Sequence, residues 1–365
     1  MRRTMFERMR VAVVRAIQAD ALLRRLWSLG LVDRAVRITK RGHEVLIPLR
    51  GEPGFSLEPF GARVEAIEEL VVRSPAKNPH DVLRGRFRDA KLRDDLIPTR
   101  WEWIGDIVVL RLPSDAQPHA SDIARLIGEV LGAKAVVEDV SGVHGPLRTP
   151  EIRILWGSGT ETIHTEGGIR YALDVARIMF SSGNLAERVG IAARIRPGQV
   201  VVDLFAGIGY FSIPIAVRSR PARVYACEVS PVAYGYLLEN VRLNRATNVV
   251  PLLGDCRDTA PSGVADWVLM GHFSATDYLD VAFRAMKDVG TVVYHCVTPA
   301  ERFPKEAIER IREAGAHLAF EIGGIHSRRV KSYAPGILHG VVEASVARRP
   351  KGISRENPSG GAVRP

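Results

Sequence analysis

Cysteine is scarce in this sequence, and long apolar runs are absent. The 365 residues include three cysteines, without a Cys-x-x-Cys pair or zinc-ligand spacing, so we expect neither a disulfide framework nor a metal site. No apolar stretch reaches the roughly 20 residues that a transmembrane helix needs. The charged N-terminus is not followed by the apolar segment of a secretory signal. We therefore expect an intracellular, cytoplasmic protein that does not enter a membrane.

Acidic residues are fewer than basic ones, 41 against 51, and the net charge is +10. The excess is uneven, because residues 1–50 hold twelve Lys and Arg against four Asp and Glu. A second basic cluster consists of Arg84, Arg86, Arg88, Lys91 and Arg93. Such clusters favour a polyanionic partner such as RNA, and a merely solvated basic face is the alternative.

The length suggests more than one domain. We predict a basic N-terminal module with a connector over residues 1–95, a small α+β domain over 96–158, a third domain over 159–348 and a flexible tail over 349–365. The polar, basic stretch 75–98 is the predicted connector. In the first two domains we predict strands at Val11–Val14, Glu44–Leu49, Ile107–Leu112 and Ala135–Val140, and helices at Ala19–Leu29 and Asp122–Val130.

Strand and helix patterns alternate from about residue 160 onward. The predicted strands are Val200–Leu204, Arg223–Cys227, Val249–Leu253, Trp267–Met270, Thr291–Val297, His317–Gly323 and Gly340–Ala347. The predicted helices end at Arg218 or span Pro231–Asn244, Ala275–Lys287 and Lys305–Ala314. Strands separated by helices indicate an α/β fold with a doubly wound, mostly parallel, Rossmann-like sheet.

A glycine loop, Asp203-Leu204-Phe205-Ala206-Gly207-Ile208-Gly209, follows the first of these strands and opens a helix. Glycines at 207 and 209 allow the backbone to approach a ligand closely. A glycine loop alone also suits dinucleotides. Here, however, the carboxylate of Asp203 would repel a pyrophosphate and attract an ammonium group. The loop therefore favours S-adenosylmethionine over a nicotinamide cofactor.

Two further carboxylates stand at the ends of the next two strands. Glu228 can accept hydrogen bonds from both ribose hydroxyls, unless it is only a neighbour of the helix N-cap before Pro231. Asp255 can accept from the adenine amino group, unless it is a plain turn residue after Gly254. Acidic residues at three consecutive strand ends strengthen the S-adenosylmethionine prediction.

Several separated blocks resemble the tRNA guanine-37 N1-methyltransferases and the related wyosine-pathway aminocarboxypropyltransferases, of archaeal type. The blocks are residues 172–188, Asp203 to Tyr210, Glu239 to Asn244, Lys331 to Gly336 and Trp101 to Ile107. The resemblance covers nearly the whole chain and implies a methyltransferase-type catalytic domain. It also implies cofactor contacts from Ser181, Arg188, Glu228, Asp255 and Cys256, the last through its backbone because Asn is usual there.

Two positions distinguish the branches of this family. The methyltransferases have an Asn-Pro-Pro or Asn-Leu-Pro motif after the fourth strand, whereas this chain has Met270-Gly271-His272, similar to the Met-Gly-Tyr of the aminocarboxypropyl branch. They also have His-Arg-Glu where this chain has Thr165 between His164 and Glu166. The resemblance therefore implies transfer of the 3-amino-3-carboxypropyl group to C7 of 4-demethylwyosine-37 in tRNA(Phe). The alternative is N1 methylation of guanine-37, or a bifunctional wyosine-pathway methyltransferase.

The resemblance also suggests residues around the substrate base. His272 is a candidate for stacking on the base or accepting the C7 proton, since an imidazole titrates near neutrality. Glu166 is a second candidate base. Gly271, Ser332 and Tyr333 are expected to line the cleft, although Tyr333 suits a packing role nearly as well.

The expected partner is the anticodon loop of tRNA(Phe), bound by a monomer. Phosphate contacts and aromatic stacking hold such loops. Arg84, Arg86 and Arg88 are candidates for the former, whereas Trp101 and Trp103 suit stacking or a core position. A non-catalytic RNA-binding protein with a vestigial pocket is the competing hypothesis, and it predicts that S-adenosylmethionine does not bind.

Overall fold

The computed structural model describes residues 9–67, 78–144, 149–180 and 182–350. The chain forms two compact units, Met1–Gly85 and Arg86–Pro365. Residues 351–365, which make up most of the predicted flexible tail, lie outside the described residues. Within these ranges no helix is long and apolar enough to cross a membrane.

The described residues of the first unit include an antiparallel sheet with strand order β2-β3-β1-β4 and the helix α1. Its elements are β1 (Met9–Arg15), α1 (Ala16–Ser28), β2 (Thr39–Arg41), β3 (Glu44–Pro48) and β4 (Arg63–Ile67). Val11 and Val13 pack on one face of β1, and Ala12 and Val14 pack on the other. A strand buried on both faces has the continuous apolar run that predicted it.

The predicted connector 75–98 contains a helix, α2 (Pro79–Asp89). The second unit continues with a mixed sheet of order β5-β6-β7-β8, crossed by α3, and with a β9–β10 hairpin. These elements are β5 (Trp101–Ile104), β6 (Ile107–Leu110), α3 (Ala120–Leu131), β7 (Ala135–His144), β8 (Thr149–Gly157), β9 (Glu161–Glu166) and β10 (Ile169–Asp174). The hairpin has no counterpart among the elements predicted from the sequence.

The large sheet has seven strands in the order β13-β12-β11-β14-β15-β17-β16, of which the first five are parallel. Its strands are β11 (Val200–Asp203), β12 (Arg223–Glu228), β13 (Val249–Leu253), β14 (Ala265–Met270), β15 (Met286–Pro299), β16 (Phe320–Ala334) and β17 (Ile337–Arg348). Its helices are α4 (Leu185–Ala192), α5 (Ser212–Arg218), α6 (Pro231–Leu243), α7 (Cys256–Thr259), α8 (Leu279–Ala285) and α9 (Lys305–His317). Helices α4–α6 share one apolar core with the sheet and α7–α9 share another, so the predicted doubly wound α/β fold is confirmed.

Many predicted elements differ from the structure in their bounds, and one helix and one strand are examples. The helix predicted at Ala275–Lys287 is a 3₁₀ turn, Ala275–Tyr278, followed by α8, and Met286 already begins β15. The strand predicted at His317–Gly323 begins at Phe320 and continues to Ala334. β16 lies at the edge of the sheet and is largely exposed and charged, so it lacks the apolar pattern from which strands are predicted.

Candidate cofactor cleft

The carboxyl ends of the parallel strands place the predicted carboxylates along one edge of the sheet. Asp203 ends β11, Glu228 ends β12, and Asp255 follows β13 after one glycine. Because β11 is hydrogen-bonded to β12, and β12 to β13, these ends are neighbours in space. Ligands of doubly wound sheets bind at this edge.

The glycine loop occupies the same edge and requires glycine at two positions. Gly207 and Gly209 have φ of +57° and +96°, in the left-handed region that other residues rarely adopt. A Cβ at Gly207 would lie 2.7 Å from the ring of Tyr210, and one at Gly209 would lie 2.4 Å from Ile213. The loop is therefore packed tightly against these side chains, so neither position has room for a larger residue.

Asp203 is completely buried beneath this loop. Its carboxylate accepts from the hydroxyl of Ser212 at 2.7 Å and from the backbone N–H of Phe205 at 3.3 Å. Burial raises the pKa of Asp203 to about 6. The expected direct attraction of a ligand ammonium is not the role that these contacts indicate, because both carboxylate oxygens hold the loop against the start of α5.

Glu228 faces the loop from the end of β12. One carboxylate oxygen accepts from the backbone N–H of Gly207 at 2.8 Å, and the other accepts from Ser230 at 2.7 Å. Burial raises the pKa of Glu228. Each oxygen retains acceptor capacity for a ribose hydroxyl, and the neighbouring Val229 is half exposed beside it. This donor and acceptor set fits the adenosine part of S-adenosylmethionine.

Asp255 has a cation as its main partner. It is the N-cap of α7, and it accepts from Arg257 through the backbone N–H at 2.8 Å and through the guanidinium at 2.6 Å. The Arg257 guanidinium lowers the pKa of Asp255. The thiol of Cys256 is buried in the core, and burial raises its pKa to about 12, so only its backbone remains a candidate for ligand contact.

Arg188 and Glu166, predicted for separate roles, form a buried ion pair. The guanidinium of Arg188 also lies 5.0 Å from the ring centre of Phe180 and 5.2 Å from that of Tyr210. A carboxylate that already neutralises an arginine is a weaker candidate for a general base. Ser181, the neighbouring predicted contact, lies outside the described residues.

The segment that directly follows β14, Gly271–Phe273, is called the tip here, and it lies over the glycine loop. The His272 ring stacks on Phe205 with centroids 5.4 Å apart, and Tyr278 contacts Phe205 edge-on at 5.1 Å. Nδ1 of His272 accepts from the backbone N–H of Ser274 at 3.2 Å. A neutral imidazole with an accepting Nδ1 carries its proton on Nε2, which favours a donor or stacking role over proton acceptance. Tyr278 was not identified from the sequence.

The other residues predicted to contact the substrate lie beside the tip, on α2 or on β5. Gly271 packs against Phe211, whose ring would be 3.0 Å from an added Cβ, and the half-exposed Tyr333 contacts Phe273 edge-on at 5.1 Å. Ser332 is exposed, and its hydroxyl donates to the carbonyl of Ala334. The remaining candidates are Arg84, Arg86 and Arg88, with exposed side chains on α2, and Trp101 and Trp103, on β5.

Two asparagines of the block 239–244 explain why that block accompanies the glycine loop. Nδ2 of the buried Asn240 donates to the carbonyls of Ala172 and Ile208, each at 3.1 Å. Asn244 makes two hydrogen bonds with the backbone of Arg170. The asparagines thus dock β10 onto α6, and Asn240 also holds the loop, a function that sequence reasoning did not identify.

Charged groups of α4, β16 and β17 form a second network that the sequence did not predict. Arg328 of β16 donates through two nitrogens to Glu187 of α4 and lies 3.7 Å from Glu343 of β17. Arg194 also pairs with Glu343. The network holds α4, and with it Arg188, against the antiparallel part of the sheet.

Two family models match consecutive parts of the chain. A family model described as the TRM5/TYW2 methyltransferase domain matches residues 162–322, and one described as the TYW2 N-terminal domain matches residues 80–160. The chain is 40% identical over 250 residues to a tRNA(Phe) (4-demethylwyosine(37)-C(7)) aminocarboxypropyltransferase of Methanocaldococcus jannaschii, covering 68% of this chain and 98% of that protein.

A solved structure and one more relative extend the comparison. The crystal structure of M. jannaschii TYW2 in complex with AdoMet superposes with a TM-score of 0.58 at 36% identity, covering 68% of this chain and all of that one. The tRNA (guanine(37)-N(1))-methyltransferase Trm5b of Pyrococcus abyssi is 35% identical over 326 residues, covering 87% of this chain and 93% of its own. Part of the length that this chain has beyond the TYW2 relative is therefore shared with Trm5b.

Proposed function

The chain belongs to the TRM5/TYW2 family, and we propose that it is a tRNA(Phe) 4-demethylwyosine(37)-C7 aminocarboxypropyltransferase. It transfers the 3-amino-3-carboxypropyl group of S-adenosylmethionine to C7 of 4-demethylwyosine and releases methylthioadenosine. This reaction belongs to wyosine-derivative biosynthesis. Because the substrate is tRNA, we expect the protein in the cytoplasm, acting on the anticodon loop as a monomer.

The observation that carries the cofactor assignment is the contact between the glycine loop and Glu228. The Gly207 N–H is fixed by the Glu228 carboxylate, which retains acceptor capacity for the ribose. The left-handed backbone at Gly207 and Gly209 shapes the loop beside that carboxylate. We propose that Glu228, Val229 and the start of α7 hold the adenosine part, and that Arg188 holds the methionine carboxylate.

The chemistry depends on orientation. S-adenosylmethionine supplies a sulfonium that activates each of its attached carbons, so the carbon held toward the base is the one transferred. In the proposed reaction C7 forms a bond to the γ-carbon of the methionine chain and loses its proton to solvent water. The bond from that carbon to sulfur breaks, and its electron pair stays on methylthioadenosine.

The residues near the base support this branch over methylation. By the resemblance described above, Thr165 stands where the methyltransferases have an arginine, which would stabilise charge on the base, and Gly271-His272 stands where they have a proline motif. We propose that His272 contacts the base from its position over Phe205, with Gly271, Ser332 and Tyr333 beside it. Arg84, Arg86 and Arg88 are proposed to contact tRNA phosphates.

A dual-label assay tests the proposed function. The protein is incubated with tRNA(Phe) that contains 4-demethylwyosine and with S-adenosylmethionine labelled either in its carboxyl group or in its methyl group. We expect the carboxyl label on tRNA and methylthioadenosine as the second product. The methyl label on tRNA, with adenosylhomocysteine, would instead establish the methyltransferase alternative that the similarity to Trm5b represents.

His272 is tested by two substitutions. Loss of base stacking changes free energies by about 1–3 kcal/mol, so we expect His272→Ala to lower kcat/KM for tRNA by about 10- to 100-fold. The Kd for S-adenosylmethionine, measured by calorimetry, should stay nearly unchanged. His272→Tyr should retain most activity, because tyrosine both stacks and donates. Unchanged kcat/KM in His272→Ala would contradict a contact with the substrate.

A further inference from the structure

Two buried histidines lie behind the cleft and have no place in the proposed chemistry. His295 of β15 and His339 of β17 are 2% and 1% exposed. In the antiparallel register His295 lies opposite Val341, and His339 lies opposite Val297, so the two side chains are diagonal neighbours on one face. Their position in adjacent strands brings together two polar groups that are 44 residues apart.

The two rings are joined by a hydrogen bond. Nδ1 of His295 and Nε2 of His339 are 3.0 Å apart. One nitrogen must donate and the other must accept, which requires that at least one ring is neutral. Burial, together with the nearby His339 and Arg328, lowers the pKa of His295 to about 3. The ring of His295 therefore stays neutral near pH 7, and the bond is preserved.

Each histidine contacts a different wall of the cleft. The ring of Phe211, which directly precedes α5, lies edge-on to His295 with centroids 5.5 Å apart. The ring of Phe273, next to His272, lies edge-on to His339 at 5.1 Å. The pair thus connects the segment after the glycine loop to the tip that faces the substrate base.

The tip also contacts two phenylalanine rings, one in the glycine loop and one just after it. His272 stacks on Phe205 of the glycine loop, and Gly271 packs against Phe211. The segment Gly271–Phe273 is therefore fixed to the glycine loop in front and to the histidine pair behind. A change in either support would move the tip relative to the cofactor, and displacements of about 1 Å can lower rates by about 100-fold.

We propose that His295 and His339 are positioning residues. Their hydrogen bond holds the segment Gly271–Phe273 in place, and this segment orients the substrate base for its attack on S-adenosylmethionine. The proposal rests on the proposed function, because it concerns the same transfer to tRNA. It predicts that the pair affects the rate of transfer and leaves the binding of S-adenosylmethionine unchanged, since neither ring is among the groups proposed to hold that cofactor.

The test compares three variants of the full-length protein. His339→Phe keeps a ring but removes the hydrogen bond, whereas His339→Gln offers an amide near the position of Nε2. We expect His339→Phe to lower kcat at least tenfold with the Kd for S-adenosylmethionine within twofold of wild type, and His339→Gln to recover kcat to within about threefold. If His339→Phe does not fold, the double variant His295→Phe/His339→Phe, which leaves no imidazole unpaired, takes its place.

The outcomes separate this inference from the function on which it rests. A wild-type protein that leaves no carboxyl label on tRNA contradicts the proposed function. A wild-type protein that transfers the label, with phenylalanine variants of unchanged kcat, overturns the positioning role. Equal loss in the Gln and Phe variants, or a parallel loss of S-adenosylmethionine binding, also overturns it, because packing or the cofactor site then explains the effect.

Discussion

Glu228 and Arg188 contact the glycine loop region from different segments, and their charges are held in different ways. Glu228 is bound by the backbone N–H groups of Gly207 and Ser230, which are neutral donors. Arg188 is paired with Glu166, so its charge is neutralised. A carboxylate that accepts from N–H groups can also accept from the hydroxyl groups of a ligand. The guanidinium of an ion pair can donate to its protein carboxylate and to a ligand carboxylate at the same time.

The same contrast extends to the groups behind these residues. Asp203 is held by a hydroxyl and an N–H group, whereas Glu187 of α4 is paired with Arg328. Asp255 is the exception on the adenosine side, because Arg257 neutralises it. The adenosine side of the proposed site thus relies on backbone donors of a local loop, and the methionine side relies on ion pairs between distant segments.

The largest expected effect is on the free energy of unfolding. We compare one substitution on the adenosine side with one on the methionine side, and we expect changes of opposite sign. Because burial raises the pKa of Asp203 from 3.8 to about 6, the protonated form is favoured in the folded state, and stability falls as pH rises from about 4 to about 6. Asp203→Asn removes this titration. Its free energy of unfolding relative to wild type should therefore increase by about 3 kcal/mol over that window and stay constant above it.

Glu187→Gln is the matched variant on the other side. It leaves the Arg328 guanidinium without its two-point partner, so we expect a loss of roughly 1–3 kcal/mol near neutral pH. Urea unfolding without cofactor measures both variants. A pH-independent difference for Asp203→Asn, or stabilisation by Glu187→Gln, would contradict the comparison.

The adenosine side could be predicted from sequence because its signals are local. Asp203, Gly207 and Gly209 belong to one loop after a buried strand, and Glu228 follows from the length of one βα unit. Parallel pairing then places them together without further information. The contacts of Asp203 with Ser212 and Phe205, which hold the loop, are not contained in the sequence pattern.

The methionine side depends on contacts that a sequence pattern does not contain. Arg328 and Glu187 are 141 residues apart, and the exposed edge strand β16 that carries Arg328 has no apolar alternation. The Glu166–Arg188 pair requires the β9–β10 hairpin, which was not recognised because only part of it is buried. Such pairings are set by tertiary packing, so residue types alone gave candidates but not partners.

A second prediction uses two ligands, S-adenosylmethionine and methylthioadenosine, to distinguish the adenosine side from the methionine side. Glu228→Gln replaces one accepting oxygen by a donor, so the ribose hydroxyls and the N–H groups of Gly207 and Ser230 no longer all have acceptors. A loss of about 2 kcal/mol corresponds to roughly 30-fold weaker binding. Calorimetry should show this loss for both S-adenosylmethionine and methylthioadenosine, which share the ribose. The exposed Glu309→Gln on α9 is the control and should bind both ligands normally.

The smallest expected effect is selective, and it concerns the methionine side alone. The double variant Glu166→Gln/Arg188→Gln removes the ion pair without leaving a buried charge alone. We expect roughly tenfold weaker binding of S-adenosylmethionine, because its carboxylate loses a charged donor, and unchanged binding of methylthioadenosine, which has no carboxylate. Glu166→Gln alone keeps Arg188 and should retain affinity for both ligands. If the double variant binds methylthioadenosine equally poorly, Arg188 supports the glycine loop through Tyr210, and the two sides are not independent.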